Sequence, residues 1–266
     1  MTYGWPTNFP AVCSSGEYAE IRLMEHPLFA AAKKMGDRDA ARKLVAHFIN
    51  RDAVRLFGRR QSRARLLVAG RISDANQIPI AFAEAVSGIT GCPLDMGVSK
   101  VNQAKHTGKG SMWRLLDRPR LEGRVRTGAS YILLDDVITQ GGTISELRQH
   151  VMRQGCRVVG VAALAHATSR NFGDGVHIAQ RPETRMALVG KFKEGELREV
   201  LADAGVYGGN LSALTESEAL TLMYYKNIDS LKKAIAAEQV KMLGFRDGAA
   251  EGLAAKSCGR PSAARR

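Results

Sequence analysis

Hydrophobic positions fall into two regimes along this chain. From Pro27 to Phe57 they recur at helical spacing (Leu28, Ala31, Ala32 and Met35, then Leu44, Val45 and Phe48), with Gly36-Asp37 as a break. Short apolar runs then alternate with amphipathic segments. RLLVAG (65–70) reads as a buried strand, RISDANQ as a loop and IPIAFAEAVSGI as a helix, with Pro79 in its first turn and Asn76 as its cap. PLDMGVSKV (93–101) is a second strand and RVRT (124–127) a short return. YILLDD is the next strand, TISELRQHVMRQG a helix ending at Gly155, and CRVVGVAALA a further strand.

Strands alternating with helices over residues 64–166 predict an α/β fold: a twisted, mainly parallel sheet with helices on both faces. Beyond Ala167 the pattern changes. HATSRNFGDGVHIAQRPE is loop-like, MALVGKF reads as one more strand, and EGELREVLADAG, LTESEALTLMYYKN and DSLKKAIAAEQVKML read as helices. Thr215 and Glu218 have the spacing of a capping box. The expected organisation is an N-terminal helical segment (1–63), a core (64–190), a small C-terminal helical appendage (191–246) and a basic, disordered tail (247–266).

Composition narrows the class. Of 266 residues, 45% are hydrophobic and 24% charged, the balance of a globular protein. The longest clean apolar run, 158–165, is too short to span a bilayer, and the first residues lack the pattern of a secretory signal. Cys13, Cys92, Cys156 and Cys258 are scattered, as are the histidines, so neither a disulfide framework nor a local metal motif emerges. A reduced, cytoplasmic protein is expected. The net charge of +13 favours polyanionic partners, either nucleic acid or phosphorylated small molecules. Basic residues crowd 100–126 and 51–65. The helix pair 216–225 and 229–243 has the outline of a helix-turn-helix, although helical hairpins are far commoner than DNA readers.

The stretch DDVITQGGT joins a strand to a helix. Thr139, Gln140, Gly141, Gly142 and Thr143 form a turn whose backbone N–H groups can converge on an anion at a helix N-terminus. Asp135 and Asp136, just before it, would repel that anion and suit neutral hydroxyls or a metal ion instead. An anion site beside paired carboxylates fits a ribose 5-phosphate. A Walker loop is excluded, because no GxxxxGK[ST] is present.

ILLDDVITQGGT closely resembles the motif by which type I phosphoribosyltransferases bind 5-phosphoribosyl 1-diphosphate (PRPP), and its flavour is that of orotate-type members. The resemblance implies that Asp135 and Asp136 hold the ribose hydroxyls and that Thr139 to Thr143 hold the 5-phosphate. It further implies that the turn Gly70–Gln77 meets the diphosphate, with Arg71 as its cation. A mobile loop within 100–113 would offer Lys105, His106 and Lys109 over the reacting centre. A transferase of nucleotide metabolism follows from the resemblance, using magnesium with PRPP, acting on a nitrogenous base and assembled as a homodimer. Thr139 stands where enzymes of 6-oxopurines carry an acid, so hypoxanthine and guanine rank low. Asn76-Gln77 replaces the Lys-Gly pair of orotate-type members. That departure, with the charge and the appendage, keeps open a PRPP- or nucleotide-sensing regulator that binds nucleic acid.

Overall fold

The computed structural model describes residues 2–16, 22–70, 74–102, 109–167 and 177–257, with side chains described through residue 245. Five strands form a parallel sheet: β1 (Cys13–Ser14), β2 (Arg65–Val68), β3 (Leu94–Asp95), β6 (Ser130–Ile138) and β7 (Arg157–His166). Their order is β1-β7-β6-β2-β3, and each neighbouring pair is parallel. β4 (Val98–Lys100) and β5 (Leu121–Gly123) make a separate antiparallel pair.

The alternation of the central strands sorts their side chains into two layers. Leu66, Val68, Ile132, Leu134, Ala162 and Leu164 pack with α2 (Arg38–Phe48), α3 (Arg51–Arg60) and α4 (Ile78–Thr90). Leu67, Tyr131, Leu133, Val161 and Ala163 pack with α6 (Gly142–Arg153) and the N-terminal Trp5 and Phe9. Both faces of β6 are therefore dry, which is why its sequence reads as an unbroken apolar run.

The N-terminal helices follow the sequence. α1 (Phe29–Lys34) ends before Gly36, which adopts φ +72°, and Asp37 caps α2 by accepting from Ala40 N–H at 2.9 Å. A second cap, Asn50, accepts from Ala53 N–H at 3.0 Å and separates α3.

Four expectations are corrected. PLDMGVSKV is two strands, because the chain turns at Gly97, where a Cβ would lie 2.3 Å from the Arg124 carbonyl oxygen. The short return is Leu121–Gly123, ahead of RVRT, since that stretch pairs with β4. MALVGKF lies inside helix α7 (Pro182–Phe192), started by Pro182 at its first position. The tail expected to be disordered from 247 is helical over its first part: α10 (Ile228–Ser257) reaches Ser257.

The C-terminal helices α7, α8 (Glu194–Asp203), α9 (Glu216–Met223) and α10 bury a third apolar cluster around Leu197, Leu201, Leu214 and Leu222. Met112 and Leu115 of α5 (Ser111–Leu116) belong to the same cluster. The expected capping box is present, with Thr215 Oγ1 accepting from Glu218 N–H at 3.2 Å and Glu218 Oε2 accepting from Thr215 N–H at 2.8 Å.

Candidate active site

Successive connections leave β2 and β6 toward opposite edges of the sheet: β2 leads to β3 on one side, β6 to β7 on the other. The carboxyl ends of these adjacent strands thus flank a topological switch point, the place where α/β sheets bind ligands. Asp135 and Asp136 stand there, both nearly fully buried.

Asp136 is held from two directions. Its Oδ2 accepts from Lys33 Nζ of α1 at 2.5 Å and from Asn76 Nδ2 at 2.9 Å, while Oδ1 accepts from Val137 N–H at 2.9 Å. Burial would raise its pKa, but the charge and hydrogen bond of Lys33, with the Asn76 amide, outweigh burial and keep it well below the ordinary carboxylate range. Asp135 differs. Burial, joined by the neighbouring Asp136 charge and opposed by Lys100, pushes its carboxyl up to about 6. The pair therefore offers one firmly ionised acceptor beside one carboxyl that exchanges protons closer to neutrality.

Asn76 joins this site to the β2–α4 turn. Its Oδ1 accepts from Ile78 N–H at 3.2 Å, so it caps α4 from one residue before the cap position while its amide reaches Asp136. The turn is also tied to α1: Gln77 N–H donates to Ala32 O at 2.9 Å and Gly36 N–H to Ala75 O at 3.0 Å. These bonds fix Lys33 with respect to Asp136.

Beyond Ile138 the chain turns through Thr139 and Gln140 to Gly141, the cap residue of α6. Gly141 has φ +78°, and a Cβ there would lie 2.9 Å from Ile178 Cδ1, so only glycine fits without strain. Ser145 N–H takes the Gly141 carbonyl at 2.9 Å. The amides of Gly142, Thr143 and Ile144 precede it in the first turn and have no intrahelical acceptor, which with the helix dipole is a geometry suited to an anion. Thr139 and Thr143 are half-buried. The Gln140 side chain faces the other way: its Nε2 donates to Thr221 Oγ1 at 2.8 Å, and its carbonyl accepts from Thr215 Oγ1 at 2.5 Å. The helical unit thus backs the loop directly.

A buried ionic cluster lies behind the same loop. Arg118 Nη2 sits 2.8 Å from Glu218 Oε1, and Arg118 Nη1 donates to Tyr207 Oη at 2.5 Å. Lys109 Nζ lies over the Trp113 and Phe245 rings, 3.9 and 4.1 Å from their centroids. Among the loop candidates Lys109 is thus placed beside α5 and α10. Lys105, His106 and Arg71 lie outside the described residues.

Sequence reasoning missed Lys33. The stretch FAAAKK gives no sign that one of two adjacent lysines reaches a carboxylate on β6. Nor does the sequence show that Lys100 faces the aspartates, or that Asn76, legible as a cap and as part of the altered Asn76-Gln77 turn, reaches Asp136.

The chain is 28% identical over 235 residues to protein TraN of Escherichia coli, an alignment covering 86% of this chain and 50% of that protein. It is 28% identical over 158 residues to an uncharacterized protein of Haemophilus influenzae, 35% of whose length is covered. The chain thus spans half or less of the length of these relatives. Over 85 residues it is 34% identical to orotate phosphoribosyltransferase of Enterococcus faecalis, covering 32% of this chain and 35% of that one. Among solved structures, an adenine phosphoribosyltransferase overlays with a TM-score of 0.32 at 15% identity, covering 50% of this chain and 72% of the other. No family model matches. A phosphoribosyltransferase is thus among the proteins to which part of this chain is similar.

Proposed function

We propose that this site binds PRPP and transfers its 5-phosphoribosyl group to a nitrogenous base or related nucleophile, releasing diphosphate. The observation that carries the reading is one continuous stretch: buried Asp135 and Asp136 at the switch point run directly into the Gly141-capped start of α6. In this reading the two carboxylates receive the ribose 2- and 3-hydroxyls, and the 139–143 amides with the Thr139 and Thr143 hydroxyls receive the 5-phosphate. The nucleophile's nitrogen bonds to C1 of the ribose as the C1–O bond breaks, and the electron pair leaves with the diphosphate. Lys33 and Lys100 place positive charge beside the two aspartates.

Among the described residues no three His, Cys, Asp or Glu side chains are grouped to hold a metal. The pair Asp135 and Asp136 fits magnesium carried by the diphosphate, since this ion commonly takes one or two carboxylates with substrate phosphates. Bound there, it would neutralise charge on the leaving group. The protein's own part is to orient the sugar through the two aspartates and to anchor the phosphate on α6.

A second reading, PRPP or nucleotide sensing without transfer, is favoured by one feature. The Gln77 amide of the β2–α4 turn is spent on Ala32 rather than left for a diphosphate. Incubation with PRPP, magnesium and a panel of bases, followed by diphosphate release, separates the two. Release with one base, lost in Asp136→Asn, supports transfer; PRPP binding without release for any base supports sensing.

A further inference from the structure

We propose that the amino-terminal edge of the parallel sheet, opposite the candidate active site, binds the phosphate backbone of nucleic acid. In a parallel sheet all strands begin at one edge, so the residues around their starts are gathered there whatever their separation in sequence. Register places Arg65 of β2 beside Tyr131 of β6, and Ser130 of β6 beside Arg157 of β7. α3 ends with Arg59 and Arg60 and leads through Arg63 into β2. Arg126 is pinned between the starts of β6 and β7: its N–H donates to Tyr131 Oη at 2.8 Å and its carbonyl accepts from Cys156 Sγ at 3.1 Å. Arg157 N–H donates to Ala129 O at 3.1 Å.

Arg59, Arg60, Arg63, Arg126 and Arg157 are all exposed. None of the five forms an ion pair among the described residues. The carboxylate nearest in register, Asp95, is already engaged: Tyr131 Oη donates to it at 2.7 Å and Arg65 Nε lies 3.8 Å away. The edge is therefore a field of uncompensated guanidinium groups.

This charge does not serve the sugar-phosphate site. Six residue steps along β6 separate Ser130 from Asp136, about 20 Å at the usual strand rise. The cations facing the aspartates are lysines 33 and 100. Phosphate diesters are the partner that exposed arginine forks suit, because guanidinium meets phosphate oxygens in bidentate fashion. A membrane surface would call for apolar side chains beside the cations. On α3 and at these strand starts only Leu56, among the described residues, is a large exposed hydrophobic. The α9–α10 pair is a poorer candidate: Thr215, Glu216 and Glu218 at the start of α9 are buried against the rest of the protein.

The test is fluorescence anisotropy of a labelled DNA duplex with the full chain, repeated from about 50 to 200 mM salt. Binding should weaken steeply with salt. Arg59→Gln/Arg60→Gln/Arg63→Gln should cost at least tenfold in affinity and flatten the log–log salt slope by roughly 3, at about 0.9 per phosphate contact. Arg126→Gln/Arg157→Gln, which touches different elements, should flatten it by roughly 2. Lys226→Gln/Lys232→Gln/Lys233→Gln, on the C-terminal helices, should change neither. The proposal is overturned by absence of duplex binding, by full retention of binding in both arginine variants, by loss in the lysine variant alone, or by binding confined to phosphatidylserine vesicles. Asp136→Asn should leave duplex binding intact, so failure of the transferase reading does not decide this one.

Discussion

Lys33 and Asp136 are 103 residues apart in the chain, yet Nζ and Oδ2 meet at 2.5 Å. The pairing explains how two adjacent acids can sit at the end of a buried strand. Asp136 has its own cation from α1, and Asp135 is eased by Lys100 and by a raised proton affinity. Neither cation neighbours the acids in sequence.

Removing Lys33 should therefore destabilise the fold, because it leaves a buried carboxylate with the Asn76 and Val137 amides as donors but without its paired cation. Lys33→Met should cost about 3 kcal/mol in a urea titration, and Asp136→Asn in the same chain should recover most of it. A loss below about 0.5 kcal/mol would mean that the pair is not formed in solution.

Asp135 should make stability depend on pH with a defined sign. Its unfolded value lies near 3.8 and its folded value at about 6, so between those the folded state holds more protons. Its stabilising contribution is present below the lower value and is lost as pH rises through the upper one. Asp135→Asn should therefore gain in Tm relative to the native chain between about pH 4 and pH 7. A constant difference across that window would contradict the assignment.

Gly141→Ala should damage the proposed phosphate cradle specifically. It combines φ +78° with a Cβ 2.9 Å from Ile178, a backbone cost of roughly 1–2 kcal/mol before any crowding. The expected readout is a rise in the concentration of PRPP needed for half-saturation, of tenfold or more, with a smaller fall in Tm than Lys33→Met produces.

The Arg118–Glu218 pair ties the 109–120 connection to the helices behind the loop. Arg118→Met should leave Glu218 buried without its cation and cost about 3–5 kcal/mol, measured by denaturant unfolding. Hydrogen exchange should rise first in α5 and α9, which meet through this cluster.

Much of the frame was legible in the chain because its signals are local. β6 and β7 announce themselves as apolar runs, Gly36 and Asp37 mark a helix break, and Thr215 with Glu218 forms the box their spacing suggests. MALVGKF misled because seven apolar-rich residues carry no decisive period; the helix is set by Pro182 and by packing of Leu188 and Phe192 into the C-terminal cluster. The turn at Gly97 was hidden because its cause is the approach of a carbonyl from residue 124. Within the site, Asp135, Asp136 and the 139–143 turn lie in one segment and could be read together. Lys33 and the second role of Asn76 could not, since both depend on how α1 and the β2–α4 turn dock on β6.

The most direct test of the central claim is calorimetric titration of the full chain with PRPP and magnesium, alongside Asp136→Asn and Gly141→Ala. The native chain should show saturable one-site binding, weakened at least tenfold in each variant, and competition by ribose 5-phosphate. Absence of binding by the native chain, or equal binding by all three, would contradict that claim.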